Sequence, residues 1–475
     1  MSAFRERFFR AMGNVNPLVI VFLMCVGFSL LTYLIPGGSF ERHSVMVMGR
    51  ERLIVVPGSF HPVPAIPQGF VQLWTVFMRG AVEGAERSFV IMLSAGAMTA
   101  IIATGAIGAG IHALIRLTGR FGVGFIPVLV FAIGACASTF GMYEEAMPFV
   151  LVIAPLTLAM GFDSMVGVFI LYWSIAVGFA CGITNPYNVA IGQAIADVPL
   201  YSGAWFRGIS FVVFMTITSV VIVRYALRVR RDPAQSLSRE EDVANRLRLE
   251  SGSAVSEDQR LTPRRALTLG LVVLGFGILM YGLMGHGWGF REIGSLFLWM
   301  GIVVPMVGGM RAAAMIEKNI EGMKSVVIAV VMMSAAQILY FILNDAQVLD
   351  TILNYFAGYL GNVPKFVIAY VMFGISAIMA SLLGSASGTA ATLMPILAPL
   401  AEVLDFSKQT VVLAFQFATG AFNFWMPWDG IAFTICSMGG VGFFKYIRHT
   451  AKFAVLVYIP TALVMLFLAV LLDYR

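Results

Sequence analysis

The run GVGFIPVLVFAIGACASTFGMYEEAMPFVLVIAPLTLAM, Gly122 to Met160, is 39 residues long, nearly twice the roughly 20 that a helix needs to cross a hydrocarbon core. Glu144 and Glu145 are its only charged residues, and indeed the only ones in the 42 residues between Arg120 and Asp163. Gly141 and the hydroxyls of Ser138 and Thr139 sit just before them. Two apolar limbs around a polar tip predict a re-entrant hairpin over 122–160, entering and leaving on the cytoplasmic side. Two full spans are the alternative, and the residues leave it open.

The rest of the chain puts this hairpin in a bilayer. Of 475 residues, 59% are hydrophobic and 12% charged, about half the charge of a soluble domain. Apolar runs long enough to span begin near Pro17, Ser88, Gly122, Met165, Trp205, Ala266, Gly294, Val326, Phe366, Thr410 and Phe453. Lipid offers no partner to backbone groups, so the fold class is all-α and polytopic. The first run, preceded by a basic stretch, has the length of a span and no small-residue cleavage site, and reads as a retained helix. The four cysteines, Cys25, Cys136, Cys181 and Cys436, lie in apolar runs without ligand spacing, so neither a disulfide framework nor a metal cluster is expected.

Net charge +6 is a topology signal here, with no nucleic-acid partner implied. Arg5, Arg7 and Arg10 mark residues 1–16 as a cytoplasmic N-terminus. The polar stretch from Arg224 to Arg265 holds ten arginines against seven acids and reads as a cytoplasmic, solvated linker over 229–265. Threading the spans from these anchors leaves the C-terminus external, in a bacterial-type inner membrane. His112, one turn from Arg116, reads as interfacial.

Features recur in the same order in both halves: AVEGAERSFVIMLSAGAM at Ala81 and NIEGMKSVVIAVVMMSAA at Asn319, MPFVLVIAPL at Met147 and MPILAPL at Met394, TNPYN at Thr184 and FWMPWDG at Phe424. Equivalent elements run in opposite directions on this threading. The expected organisation is a first repeat over 17–228 (hairpin 122–160, broken helix 165–196), the linker, an extra helix over 266–290, and a second repeat over 291–475 (hairpin 366–401, broken helix 409–440). Inverted repeats with interrupted helices are the architecture of secondary transporters.

The four interruptions mix Gly or Pro with hydroxyl and amide side chains. Half-helix N-termini there attract a carboxylate, and freed carbonyls with side-chain oxygens ligate Na⁺. Candidate solute residues are Glu144, Glu145, Tyr143, Thr139, Asn185, Asn188, Ser385, Ser387, Thr389, Asn423, Trp428 and Asp429. Candidate Na⁺ positions are near Thr139, Thr184 and Asn185, and near Ser385, Thr389 and Asn423. For any single hydroxyl the competing reading is a bond back to its own helix. Asp429 is the only charge between Lys408 and Lys445, and the apolar runs around the breaks contain no Lys or Arg. An intramembrane acid is costly and marks a functional path by default, so a proton, a metal cation or a cationic solute group is expected as its partner. No cofactor is expected beyond Na⁺ or H⁺ as coupling ion.

The segments LLTYLIPGGSFER, VVPGSFHPVP, ATGAIGAGI, FGMYEEAMPFVLVIAPL, GFACGITNPYNVAIGQAIADVPLYSG and SGTAATLMPILAPLAEVLDFSKQTVVLAFQF together resemble the YfcC-like branch of the C4-dicarboxylate anaerobic carrier family, within the ion transporter superfamily. The resemblance covers nearly the whole chain except the linker. It implies a homodimer in which a scaffold domain supports a mobile transport domain with two hairpins, working by elevator-type alternation. The family name points to dicarboxylates, while related branches handle arginine, ornithine or other amino-acid-like solutes. The Ser-Asn-Thr motif of the superfamily's dicarboxylate carriers is matched loosely, by Ser385, Ser387 and Thr389 in one tip and Thr139 in the other.

Two fixed acids repel a dianion, whereas an amino compound offers a carboxylate to half-helix termini and an amine to the acids. The expectation is therefore a secondary active transporter, symporter or antiporter, for a basic amino acid or small peptide, with a C4-dicarboxylate carrier as the alternative. A channel fits less well without a pore-lining repeat or charged ring. An enzyme is not expected, since HExxH, GxSxG and a paired His in a span are all missing, and without a Walker-type loop a primary pump would need a separate ATPase subunit.

Overall fold

The computed structural model describes residues 17–474 apart from 48–49, 57, 111–112, 114–121, 255–260, 287 and 358–363. The basic residues of 1–16 and His112 lie outside this set. The described chain is mostly helical. In order the helices are α1 (Pro17–Leu31), α2 (Phe70–Glu83), α3 (Ala85–Ala103), α4 (Phe125–Phe140), α5 (Val150–Ala159), α6 (Ser164–Ala180), α7 (Val189–Ile195), α8 (Ala204–Arg231), α9 (Arg239–Ala254) and α10 (Pro263–Gly285). They continue as α11 (Phe290–Val307), α12 (Ala312–Ser325), α13 (Val327–Asp345), α14 (Leu349–Ala357), α15 (Lys365–Leu383), α16 (Ala386–Val403), α17 (Lys408–Asn423), α18 (Gly430–Met438), α19 (Phe443–Phe453) and α20 (Ile459–Leu471).

The all-α expectation needs one amendment. Between α1 and α2 the chain forms two small antiparallel sheets, Gly38–Ser39 with His61–Pro62 and Arg42–Val47 with Arg50–Val55. Asp350 pins them, accepting the Phe40 amide at 3.0 Å and pairing with Arg42 at 2.7 Å. Among the described residues five helices are long and apolar enough to span a membrane: Gly122–Phe140 (a 3₁₀ turn leading into α4), Ala204–Arg231, Phe290–Val307, Lys365–Leu383 and Phe443–Leu471 (α19 and α20 joined by a π-helical turn, Ala454–Tyr458). Other apolar runs of the sequence are divided into shorter helices, as at 164–195 and 408–438.

The limbs α4 and α5 run antiparallel. Phe125 at the start of one packs against Phe162 beyond the end of the other, ring centroids 6.1 Å apart, so the open ends lie together. Gly141, in the left-handed region at φ 73°, ends the first limb at the tip, where a side chain would be strained. The second pair, α15 and α16, is likewise closed at its open end, by Lys365 and Asp405 at 2.9 Å, and turns at Gly384 with φ 59°. The broken elements α6–α7 and α17–α18 also run antiparallel to each other. Gln416 donates to the Gly182 carbonyl, Gly420 packs against Ala180, and Tyr172 reaches Asp429. Separately, α11 and α12 pack on α3 through small residues, with Asn319 Nδ2 donating to the Gly301 carbonyl at 3.0 Å and Gly322 lying against Gly96.

The linker differs from the solvated segment expected at 229–265. α8 runs to Arg231, a 3₁₀ turn follows at Pro233–Gln235, and α9 lies against the open end of the first limb pair. Ser238 is fully buried and Asp242 is 5% exposed, accepting from Ser238 at 3.0 Å and from the Ser164 amide. Asp163 caps α6 through the Val166 amide (2.9 Å) and accepts hydroxyls from Tyr225 (2.5 Å) and Ser236 (2.8 Å). Burial raises the Asp163 carboxyl above its usual range, with those hydroxyl bonds opposing the rise. Asn245 Nδ2 donates to the Gly440 carbonyl at 2.8 Å and to Ser164 Oγ at 3.1 Å, and Lys445 pairs with Glu240 and Glu241. Polar bonds, more than apolar area, hold this helix down, so its composition resembles a solvated segment.

Asp242→Ala is expected to lower the melting temperature in detergent by the equivalent of about 1–2 kcal/mol, as for loss of a helix-terminal acceptor. Lys445→Ala, losing ion pairs at the surface with the exposed Glu240 and the half-buried Glu241, is expected to cost less than about 1 kcal/mol. Equal effects would contradict the buried role of Asp242.

Candidate solute site

Each half-helix needs an acceptor for the amides that its first turn leaves free. In α18 that acceptor is Asp429, whose Oδ1 takes the Ile431 amide at 3.0 Å. Its Oδ2 takes the hydroxyl of Tyr172, a residue of the long segment of the other broken helix. In α16 it is Ser385, whose Oγ takes the Gly388 amide at 3.2 Å and lies 3.4 Å from Ser387 Oγ. At the first tip Glu144 and Glu145 head a 3₁₀ turn, Glu144–Phe149, and Glu145 Oε2 accepts the Tyr143 amide at 3.0 Å.

These ends converge on one cavity of about 400 Å³, within the range of small-molecule sites. Of the sequence candidates, Tyr143, Glu144, Glu145, Ser385, Ser387, Asn423, Trp428 and Asp429 line it. Gly141, Phe179 and Tyr187 add to the wall, and Trp428 Nε1 donates to the Ser381 carbonyl at 3.4 Å. Tyr143 stands edge-on to Phe179 at 5.1 Å and to Tyr172 at 6.2 Å. The opposite side comes from other helices: Trp288 and Phe290 before and at the start of α11, and Glu86 in the first turn of α3. Arg291 pairs with Glu86 at 2.7 Å on the exposed rim. Four acids line the cavity, and among its described lining residues none is Lys or Arg.

Thr139, Asn185, Asn188 and Thr389 are not in the lining. Thr139 donates to its own helix at Ala135 (2.6 Å), and Thr389 does the same at Ser385 (2.7 Å). Thr184 donates to the Thr139 carbonyl at 3.1 Å. Asn185 is fully buried, donating to the Ala137 carbonyl and accepting the Tyr187 amide. Asn188 caps α7 and donates to the Phe179 carbonyl. Tyr172, Glu86 and Trp288 went unrecognised in the sequence. Tyr172 is one aromatic of an apolar run, and Glu86 and Trp288 approach the cavity from elements remote in the chain.

Hairpin-like limbs and broken helices around an acid-lined cavity define the chain as a membrane-spanning transporter. It belongs to the C4-dicarboxylate anaerobic carrier family, whose model matches residues 16–471. It is 30% identical over 492 residues, 95% of each chain, to the Escherichia coli (strain K12) protein named "Putative basic amino acid antiporter YfcC". An uncharacterized protein of Haemophilus influenzae (strain ATCC 51907 / DSM 11121 / KW20 / Rd) is 25% identical over 400 residues, 84% of this chain and 78% of that one. Among solved structures, the YdaH transporter of Alcanivorax borkumensis aligns with a TM-score of 0.43 and 15% identity over 97% of this chain and 99% of that one. MtrF of Neisseria gonorrhoeae, from a class of antimetabolite efflux pumps, aligns at 0.42 with 17% identity over 97% and 96%.

Tyr172→Phe takes a hydroxyl from a buried carboxylate, and a hydrogen bond to a charged group contributes about 1.5–3 kcal/mol. Solute affinity is expected to fall about tenfold or more, whereas Thr389→Val, losing only a bond within its helix, should change it less than about twofold. Binding to the purified variants measures both, and equal affinities would contradict the role given to Tyr172.

Proposed function

We propose that this protein is a secondary active transporter of a carboxylate-bearing cationic amine, in chemical terms a basic amino acid or small basic peptide, coupled to H⁺ or Na⁺ or run as an exchanger. The observation that carries the reading is the cavity itself, with Glu144 and Asp429 facing it and no basic side chain among its described lining. A solute amine or guanidinium supplies the charge these acids lack, and the first turn of α16, with Ser385 and Ser387, offers hydrogen-bond donors to a carboxylate. The name of the E. coli relative points the same way. The family description favours the second reading, a C4-dicarboxylate, which these acids oppose unless cations or protons bind first.

For the mechanism, we read the antiparallel limb pairs and oppositely directed broken helices as inverted repeats. The cavity wall combines hairpin tips and helix breaks with Glu86, Trp288 and Phe290 of a separate helix group, which supports an elevator-type movement of one body against the other. A homodimeric assembly belongs to the same reading.

Reconstituted vesicles are expected to take up labelled arginine, lysine or ornithine, with Asp429→Asn and Glu144→Gln each lowering the rate at least tenfold. Uptake of succinate or fumarate without competition from amino acids would assign the second reading instead.

A further inference from the structure

At the first break the carbonyls freed by α6 are met by donors, while one buried side-chain oxygen beside them, Gln416 Oε1, has no hydrogen-bond partner among the described residues. From the last turn of α6 into the break, five successive carbonyls each meet a side-chain donor. Phe179 is met by Asn188 Nδ2 (2.8 Å), Ala180 and Gly182 by Gln416 Nε2 (3.3 and 2.7 Å), and Cys181 by Ser138 Oγ (2.8 Å). Ile183 is met by Nε of Arg207 at 3.3 Å.

Arg207 is 1% exposed, and its other nitrogens donate to the Ser202 carbonyl (2.8 Å) and the Tyr474 hydroxyl (3.1 Å). No acid forms an ion pair with it among the described residues. Its own helix does not account for it, because a cation in the first turn of α8 stands at the unfavourable end of that dipole. What it faces is the carboxyl end of α6, where the dipole leaves negative charge and where freed carbonyls attract a cation.

The second break is built with the opposite sign. Its Phe424 carbonyl takes the Tyr446 hydroxyl at 2.9 Å, and the half-helix beyond is headed by Asp429, facing the cavity.

We infer that the Arg207 guanidinium is the resident cation of the first broken helix, tethered where a mobile ion would otherwise sit, so that exchangeable positive charge is taken up only at the second break. This rests on the reading of the cavity as the solute site and adds which of the two breaks admits a cation. Arg207 is on this account a positioning residue, and Thr139, Thr184 and Asn185 are structural partners of the sealed break.

The test uses the melting temperature of the full-length purified protein, which is independent of any transport result. Arg207→Ala should melt lower than wild type. Guanidinium at low millimolar concentration should restore most of the loss, where equal urea or choline chloride does not, since a ligand of the folded state stabilises it by occupancy. Failure of guanidinium to restore a folded Arg207→Ala would overturn the inference. A second arm needs no change at Arg207: stabilisation of the protein by Na⁺ or guanidinium over choline should persist in Thr139→Val and Thr184→Val and vanish in Asp429→Asn. Its loss in either threonine variant, with retention in Asp429→Asn, would place the exchangeable cation at the first break and reject the proposal. Absence of arginine transport would count against the solute reading and leave both arms unaffected.

Discussion

A helix that stops inside an apolar slab must find a partner for every backbone group it frees, and the architecture around the cavity answers that demand. At the first break the carbonyls freed at the end of α6 meet Asn188, Gln416, Ser138 and Arg207. At the second, the amide freed at the start of α18 meets Asp429. One break is closed by donors and the other headed by an acid. The proposed solute reading rests on that asymmetry, with an acid heading a half-helix beside a cavity that has no Lys or Arg among its described lining residues.

The same accounting explains the linker. α9 supplies Asp242 and Asn245 to the ends of α6 and α18, elements from the two halves of the chain. A charged, Ser-rich connection thereby becomes part of the body that holds the broken helices, and motion of that body would carry α9 with it.

Legibility in the sequence followed charge. The adjacent Glu144 and Glu145, and Asp429, stand out because they are the only charges of their apolar runs, and all three line the cavity. The stretch read as one hairpin over 366–401 is occupied by the two helices Lys365–Leu383 and Ala386–Val403. Hydroxyls and amides were less informative. Thr139 and Thr389 bond to their own helices and Asn188 caps one, outcomes that spacing alone does not separate from ligation. Tyr172 was hidden because a tyrosine in an apolar helix is usually packing, and its role depends on a partner 257 residues away. Arg207 was hidden in a similar way, its position near the start of a span resembling an interfacial anchor. The sheets between α1 and α2 and the docked α9 depend on long-range polar contacts that no local pattern announces.

The most direct test of the acid-lined cavity as a receptor for positive charge is an experimental structure of the protein with arginine or lysine present. The account predicts solute density in the cavity with an amine or guanidinium nitrogen about 3 Å from carboxylate oxygens of Asp429 or Glu144. Solute held there only through its carboxylate, with no cationic group near those acids, would contradict it.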